Sequence, residues 1–395
     1  MVSTEKLVQK KTCIIGAGPA GLAALKVVVD SPYYKSGGWK VVCFEARENV
    51  GGIWNPSEPS GSLPLTPLYD SLTTNIPHPV MAYTSYPFPP STPIFPPAST
   101  VQTYLEDYTS HFNLRPHIQF NKIVEDVSWF ASRSVWSVRL LGGITHYFDS
   151  VIVANGHFRK PRYPDIHGLS EWLRLGRGIH SAWYRRPGDL PLDRSAGACK
   201  VVVVGNGPSG QDIASDLLLD GCTVIRSIQG AAAKDNGGLK IRGVITQFHA
   251  DGSITFEDGS QEPDIDLCIL ATGYEMSFPF LSSVISLGLP DGDEQGLWNS
   301  SYHVYPLAKH LFPIGCGFPP SSLAFMGLIL RGTPLSLFEA QAHAVVKVFM
   351  KPEALDIAEE RRVIQARHRQ LGPDELNVTK LWHKFTEPEA FEYRD

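Results

Sequence analysis

Two glycine runs carry the clearest chemical signal in the chain. Gly16-Ala17-Gly18-Pro19-Ala20-Gly21 and Gly205-Asn206-Gly207-Pro208-Ser209-Gly210 both read Gly-x-Gly-x-x-Gly. In such a run the first glycine permits a tight turn and the second lets a pyrophosphate approach the backbone. The third lets the following helix pack closely on the preceding strand. The phosphate then rests on free amides at the positive end of the helix dipole. Glu45 lies 24 residues beyond Gly21, near the spacing of a carboxylate that accepts a ribose diol. The second run has no such acid. Arg226-Ser227 stands in that place, and an arginine beside a hydroxyl suits a 2′-phosphate that a carboxylate would repel. NADPH is therefore expected at the second run in preference to NADH. Its candidate residues are Gly205, Gly207, Ser209, Gly210, Gln211, Asp212 and Arg226. The plainer alternatives are a glycine-rich turn of an ordinary α/β domain and an arginine that merely ends a strand.

Each run needs a strand before it and a helix after it, and the sequence supplies both. Thr12-Cys-Ile-Ile15 precedes the first run and Leu22–Val29 follows it; Trp39–Phe44 then reads as a second strand ending in Glu45. Lys200–Val204, Gln211–Leu219 and Cys222–Ile225 repeat the arrangement around the second run, and Leu267–Leu270 reads as a further apolar strand ending at Ala271-Thr272-Gly273. Continuous apolar strands of this kind belong to parallel sheets covered on both faces. The expected fold is α/β, with two Rossmann-like dinucleotide-binding domains and the second inserted into a discontinuous first. Boundaries are expected at 1–165, 166–304 and 305–395. Two dinucleotide sites in one chain imply electron traffic between them, most simply from NAD(P)H to a bound flavin.

Between Pro56 and Pro97 fall twelve prolines, so this stretch is neither regular helix nor central strand. Its aromatics, Tyr69, Tyr83, Tyr86, Phe88 and Phe95, point to a packed, ordered loop. Helical spacing over Val101–Asn113 places Tyr104, Leu105 and Tyr108 on one face, and an amphipathic helix is expected around 335–350. The basic run Arg361-Arg362…Arg367-His368-Arg369 reads as a solvated helix face.

Composition bounds the rest. With 43% hydrophobic residues the chain can bury a core. A net charge of −5 gives no broad footprint for nucleic acid. No window offers a membrane-spanning run, the start lacks a signal-peptide apolar block, and a cytoplasmic location is expected. The six cysteines include no Cys-x-x-Cys pair, so neither a metal site nor a redox dithiol is indicated.

With these residues in view, the chain resembles the flavin-containing monooxygenases, class B flavoprotein monooxygenases that act on soft nucleophiles. Glu45 is followed by Gly51-Gly52-Ile53-Trp54, similar to the family's Gly-Gly-x-Trp. Tyr69–Thr74-Asn75-Ile-Pro77 and Tyr86-Pro-Phe88-Pro resemble its proline- and aromatic-rich active-site stretch. Val151–Gly156-His157 resembles an Ala-Thr-Gly-His segment, with Asn155 in place of threonine. The family fingerprint, Phe-x-Gly-x-x-x-His followed four residues later by Tyr or Phe, is matched at Gly176, His180 and Tyr184, with Arg174 where phenylalanine is usual. Leu270–Tyr274 matches the motif linking the nucleotide domains, and Ser322–Phe325 and Pro334…Glu339-x-Gln341 match weakly.

The resemblance implies FAD at the first site, held by Gly16, Gly18, Pro19, Ala20, Gly21, Glu45, Ile53, Trp54 and Thr74, and NADP(H) at the second. It implies reduction of the flavin by NADPH, capture of O2 as a C4a-hydroperoxide, and oxygen transfer to a nucleophilic N or S of a small molecule. A homodimer is a candidate assembly. The resemblance assigns Asn75 as the catalytic residue, its amide contacting NADP and the flavin adduct; read from its type alone, Asn75 is a turn residue before Pro77. His180 is either a linker-positioning group or a satisfied structural histidine. Three other readings share the motifs: a disulfide reductase, which needs the cysteine pair; a Baeyer–Villiger or N-hydroxylating monooxygenase; and a nucleotide-binding regulator without catalysis.

Overall fold

The structure, a computed structural model, describes residues 9–290, 295–330, 332–386, 389, 392 and 393. The chain divides into two compact units. One comprises residues 1–55, 76–157 and 276–395; the other comprises 56–75 and 158–275.

The first unit is built on a five-stranded parallel sheet. Its order is Leu323–Phe325, Ser150–Val153, Lys10–Ile15, Trp39–Phe44, Ile118–Gln119. The strand Lys10–Ile15 is central and has four consecutive buried residues at its end, as a strand covered on both faces should. The helix Pro19–Asp30 packs on it, and the helices Ala98–His111 and Pro334–Met350 complete that layer. An antiparallel meander, Val124–Phe130, Val135–Leu140 and Thr145–Phe148, lies on the other face with Met276, Phe278, Phe280 and Leu281. That packing explains one of the differences from the expected domain limits. Met276, Phe278, Phe280, Leu281, Ile285, Leu297 and Val304 are buried in the first unit's core rather than the second's.

The second unit carries a six-stranded sheet in the order Lys234–Asn236, Leu239–Arg242, Thr223–Ser227, Lys200–Val204, Leu267–Leu270, Gly178–His180. All neighbours are parallel except the edge pair 234–236 and 239–242. The helix Pro208–Leu219 covers one face. Residues 56–75 belong here although they precede the insertion, because Tyr69 packs among Tyr184, Val201, Ile213 and Leu217.

The proline-rich stretch is ordered by aromatic contact. Phe88 stacks on Tyr104 at 3.7 Å and Tyr83 on Tyr108 at 4.1 Å. Tyr69, Tyr83 and Phe88 are buried, but Phe95 is 49% exposed, against the expectation for it. In the helix Ile357–Leu371, Arg361, Arg362 and Arg369 face solvent while Arg367 does not. Its guanidinium donates to the carbonyls of Leu381, Trp382 and Lys384, at and just beyond the end of the helix Glu375–Leu381.

Candidate functional site

The two glycine runs fold into the same local device. At the first, Gly16 N donates to Phe44 O and Ala154 N to Ile15 O; at the second, Gly205 N donates to Ser227 O and Ala271 N to Val204 O. Gly16 has φ +100° and a Cβ there would sit 2.6 Å from Ala154 O; Gly205 has φ +118° and its Cβ would sit 2.4 Å from Ala271 O. Both positions therefore need glycine for conformation and for space. A Cβ on Gly21 would fall 1.9 Å from Gly16 O, and one on Gly210 2.7 Å from Gly205 O. These glycines let the helix start press against the turn.

The middle glycines differ. A Cβ on Gly18 would meet Gly52 Cα at 3.3 Å, so the Gly51–Trp54 turn lies beside the first cradle. A Cβ on Gly207 would meet no protein atom within 4 Å. Neither helix has a side-chain cap at its start, and neither has an acid in its first turn. The opening amides thus keep their positive potential for an anion.

At the end of the second strand Glu45 is buried, with one carboxylate oxygen accepting from Ala17 N at 2.6 Å and the other from Arg47 N at 2.9 Å. Each oxygen retains a lone pair for a ribose hydroxyl. Sequence reasoning did not single out two residues that shape this site. The Arg47 guanidinium donates to the carbonyls of Gly52 and Asn55 and holds the turn bearing Ile53 and Trp54. Gln102 donates to Val50 O from beneath Gly51. Gln102 carries no local signal because its acceptor lies 52 residues away; Arg47 acts on carbonyls five and eight residues on, but a lone arginine in a turn has no motif that marks it.

At the second cradle Arg226, next to last in the strand Thr223–Ser227, donates through Nη2 to Asn206 Oδ1 at 2.8 Å, inside the glycine turn. Its Nε is buried without an acceptor, and burial lowers the pKa of the guanidinium. A buried donor with no partner is costly unless a ligand supplies the acceptor. An open glycine, uncapped amides and an orphaned guanidinium N–H together fit a phosphorylated dinucleotide. Of the other residues expected there, Gln211 donates to Asn206 O, bracing the turn. The Asp212 carboxylate instead accepts from the Tyr69 hydroxyl at 2.6 Å and is occupied by protein.

His180, buried completely, accepts from Ala182 N at Nδ1 (3.1 Å) and so donates from Nε2 to Gly273 O at 3.0 Å. Burial holds it neutral, with a pKa lowered to about 4. It is a satisfied structural histidine that fixes the Ala271-Thr272-Gly273 turn. Arg162 helps through its amide to Gly273 O, and Thr272 Oγ1 donates to Arg162 O. Arg174, the departure from the fingerprint, faces solvent and pairs with Glu171. Thr74 is buried and Asn75 exposed, the last two residues of the 56–75 segment.

A cavity of about 310 Å³ opens beside Asp70, Arg186, Asp216 and Leu219. Its charged groups are already paired: Arg186 with Asp70 and Asp189, Asp220 with Arg194, Asp216 with Ser71 and Tyr184.

The profile of the flavin-binding monooxygenase-like family matches residues 9–232 and 231–370. The chain belongs to this family. Among curated relatives of this flavin-binding monooxygenase-like chain, flavin-containing monooxygenase FMO GS-OX-like 9 of Arabidopsis thaliana is 33% identical over 384 residues, covering 88% of this chain and 77% of the relative. The thiol-specific monooxygenase of Saccharomyces cerevisiae is 31% identical over 352 residues, covering 87% and 78%. Among solved structures, S-allyl-L-cysteine S-oxygenase from Allium sativum superposes with a TM-score of 0.77 at 27% identity, covering 98% of this chain and 88% of that one. Cyclohexanone monooxygenase, at a TM-score of 0.61 and 14% identity, shares the fold. The chain is an FAD-dependent monooxygenase whose cofactors are FAD and NADP(H). No helix among the described residues is long and apolar enough to cross a membrane.

Proposed function

We propose that the flavin-binding monooxygenase described here transfers one atom of O2 to the sulfur of a small thioether or thiol, consuming NADPH, with nitrogen nucleophiles as the second substrate class. The balance is NADPH, a proton, O2 and a thioether giving NADP⁺, water and a sulfoxide. The observation that carries the reading is the pair of cradles in one chain, one ended by the carboxylate of Glu45 and the other by the guanidinium of Arg226. Sulfur is preferred to nitrogen because a relative at 31% identity is named a thiol-specific monooxygenase and a similar solved structure at 27% identity an S-allyl-L-cysteine S-oxygenase.

FAD is assigned to the first cradle. The amides of Ala20 and Gly21 would hold its pyrophosphate, Glu45 a ribose hydroxyl, and the Gly52–Trp54 turn the space beside Gly18. NADPH is assigned to the second, with Gly207 as the point of close approach and Arg226 and Asn206 at the 2′-phosphate. When bound, the flavin supplies the transfer of two electrons from NADPH to O2 and of oxygen to the substrate. The protein's part is to bind, orient and exclude water. Asn75 is assigned as the residue whose carboxamide contacts NADP and the flavin.

The decisive experiment supplies purified, FAD-loaded protein with NADPH, air and an S-alkyl cysteine. Sulfoxide formation matching NADPH consumption is expected. A protein that converts a cyclic ketone to a lactone while leaving the thioether untouched would overturn the reading in favour of Baeyer–Villiger chemistry. One that binds FAD yet never consumes NADPH would overturn it in favour of a regulator. Asn75→Ala should retain FAD and lose at least tenfold in sulfoxide formation; undiminished formation removes Asn75 from the mechanism.

A further inference from the structure

The segment 56–75, which ends in Thr74 and Asn75, contains no helix and no multi-residue strand, yet Thr66, Leu68, Tyr69 and Thr74 are buried. Its order must come from outside its own backbone. Arg185 supplies part of it. This side chain is 7% exposed, and all four acceptors it bonds are main-chain carbonyls. Nε donates to Ser57 O at 3.2 Å and Nη2 to Thr66 O at 3.0 Å. Nη1 donates to Ala182 O at 3.0 Å and Tyr184 O at 2.8 Å. Asp70 N returns a bond to Arg185 O at 3.0 Å. A buried guanidinium bonded to no carboxylate is unusual, because burial of a charge is normally offset by an opposite charge. Here its planar fork spans two separate chain segments, which an ammonium point charge is unable to do.

Two further bridges run from the same segment to the helix Pro208–Leu219. Tyr69 Oη donates to Asp212 Oδ2 at 2.6 Å, and Ser71 Oγ donates to Asp216 Oδ2 at 2.6 Å, an oxygen that also accepts from Tyr184 Oη at 2.9 Å. That helix begins at the second glycine turn. Burial and the adjacent carboxylates push both phenols up, so Tyr69 and Tyr184 remain donors.

We propose that Arg185 is a positioning residue: it fixes the 66–75 segment, and with it Asn75, on the nucleotide unit, with Tyr69 and Ser71 pinning the same segment to the helix that starts at the NADP cradle. This deepens the preceding reading and rests on its assignment of Asn75. It also accounts for Asp212, whose place on the cradle helix suggested cofactor contact but whose carboxylate serves the segment.

The test uses FAD-loaded protein carrying Arg185→Lys, which keeps the charge and loses the fork, and the milder Ser71→Ala, which removes one bridge. Hydrogen exchange without turnover is the first readout. Amides of residues 66–72 should exchange at least tenfold faster in Arg185→Lys, with those of 200–204 and 267–270 unchanged. The second readout is the fate of NADPH electrons. The KM for NADPH should stay within about twofold of the parent, while the share of electrons released as hydrogen peroxide rises at least threefold and kcat for sulfoxide falls. Ser71→Ala should move both readouts in the same direction by less.

The third readout is a double-mutant cycle with Asn75→Ala. Arg185→Lys should add nothing to the loss of Asn75→Ala if it acts through that residue. Parent-like exchange and coupling in Arg185→Lys, or additive losses in the double variant, overturn the proposal while leaving the assignment of Asn75 standing. Full oxygenation by Asn75→Ala overturns that assignment and the present inference with it.

Discussion

At the scale of single residues, Arg226 is where coenzyme choice should reside. Its Nη2 is held by Asn206 and its Nε points to no protein acceptor. A phosphate accepting from a guanidinium contributes about 1.5–3 kcal/mol, or roughly 10- to 150-fold in affinity. Arg226→Ala should therefore raise the KM for NADPH by that factor and leave the KM for NADH nearly unchanged, measured by steady-state consumption of each coenzyme. Equal effects on both would mean that the arginine serves the fold and not the 2′-phosphate. This residue was legible in the sequence because a strand end and a missing acid are local signals. Arg185 was not: it follows a fingerprint tyrosine and looks like a surface charge. Only the folded chain brings the carbonyls of Ser57 and Thr66 to it.

At the scale of elements, the two strand–turn–helix devices give a contrast that separates folding from binding. A methyl at Gly210 would enter space held by Gly205 O, whereas a methyl at Gly207 meets nothing within 4 Å. Overpacking of this kind costs about 1–3 kcal/mol. Gly210→Ala should thus lower the midpoint of urea unfolding clearly. Gly207→Ala should leave the midpoint almost unmoved and yet weaken NADPH binding at least tenfold, read by titration of the FAD-loaded protein. If both variants unfold alike, or both bind alike, the assignment of the middle glycine to cofactor approach fails.

Both devices were readable before folding because turn chemistry and apolar strand runs are local. The strands Gly178–His180 and Leu323–Phe325 were not, at three residues each, since what makes them strands is the edge they complete. The same holds for residues 276–304. Their composition does not reveal which core their phenylalanines enter, and the observed core is that of the first unit.

At the scale of the whole molecule, a set of buried histidines makes stability depend on acid. His157, His180 and His303 are held neutral with pKa values lowered to about 4, and His310 to about 3; His383 lies well below its ordinary value. Burial is the main cause for each, and Arg367 adds repulsion at His310 and His383. Geometry agrees. His383 Nε2 accepts from Val304 N, so its Nδ1 carries the proton and donates to His310 Nδ1 at 2.9 Å, an arrangement that requires both rings neutral.

Unfolding returns these rings to a pKa near 6.5. Between pH 6.5 and about 4 the unfolded chain therefore binds more protons than the folded one, and stability falls as pH falls, by up to about 1.4 kcal/mol per pH unit for each group. At pH 5 this is about 1–2 kcal/mol per histidine for His157, His180, His303 and His310, and together they take a large share of an ordinary domain's stability. Urea midpoints should hold steady from pH 8 to 7 and then drop steeply between pH 6.5 and 5. His310→Gln, which removes one titrating ring at the margin of the cluster, should make that drop shallower while lowering the midpoint at pH 7. A midpoint unchanged between pH 7 and 5 would show that these rings are protonated in the folded chain and that the His310–His383 bond is not present in solution.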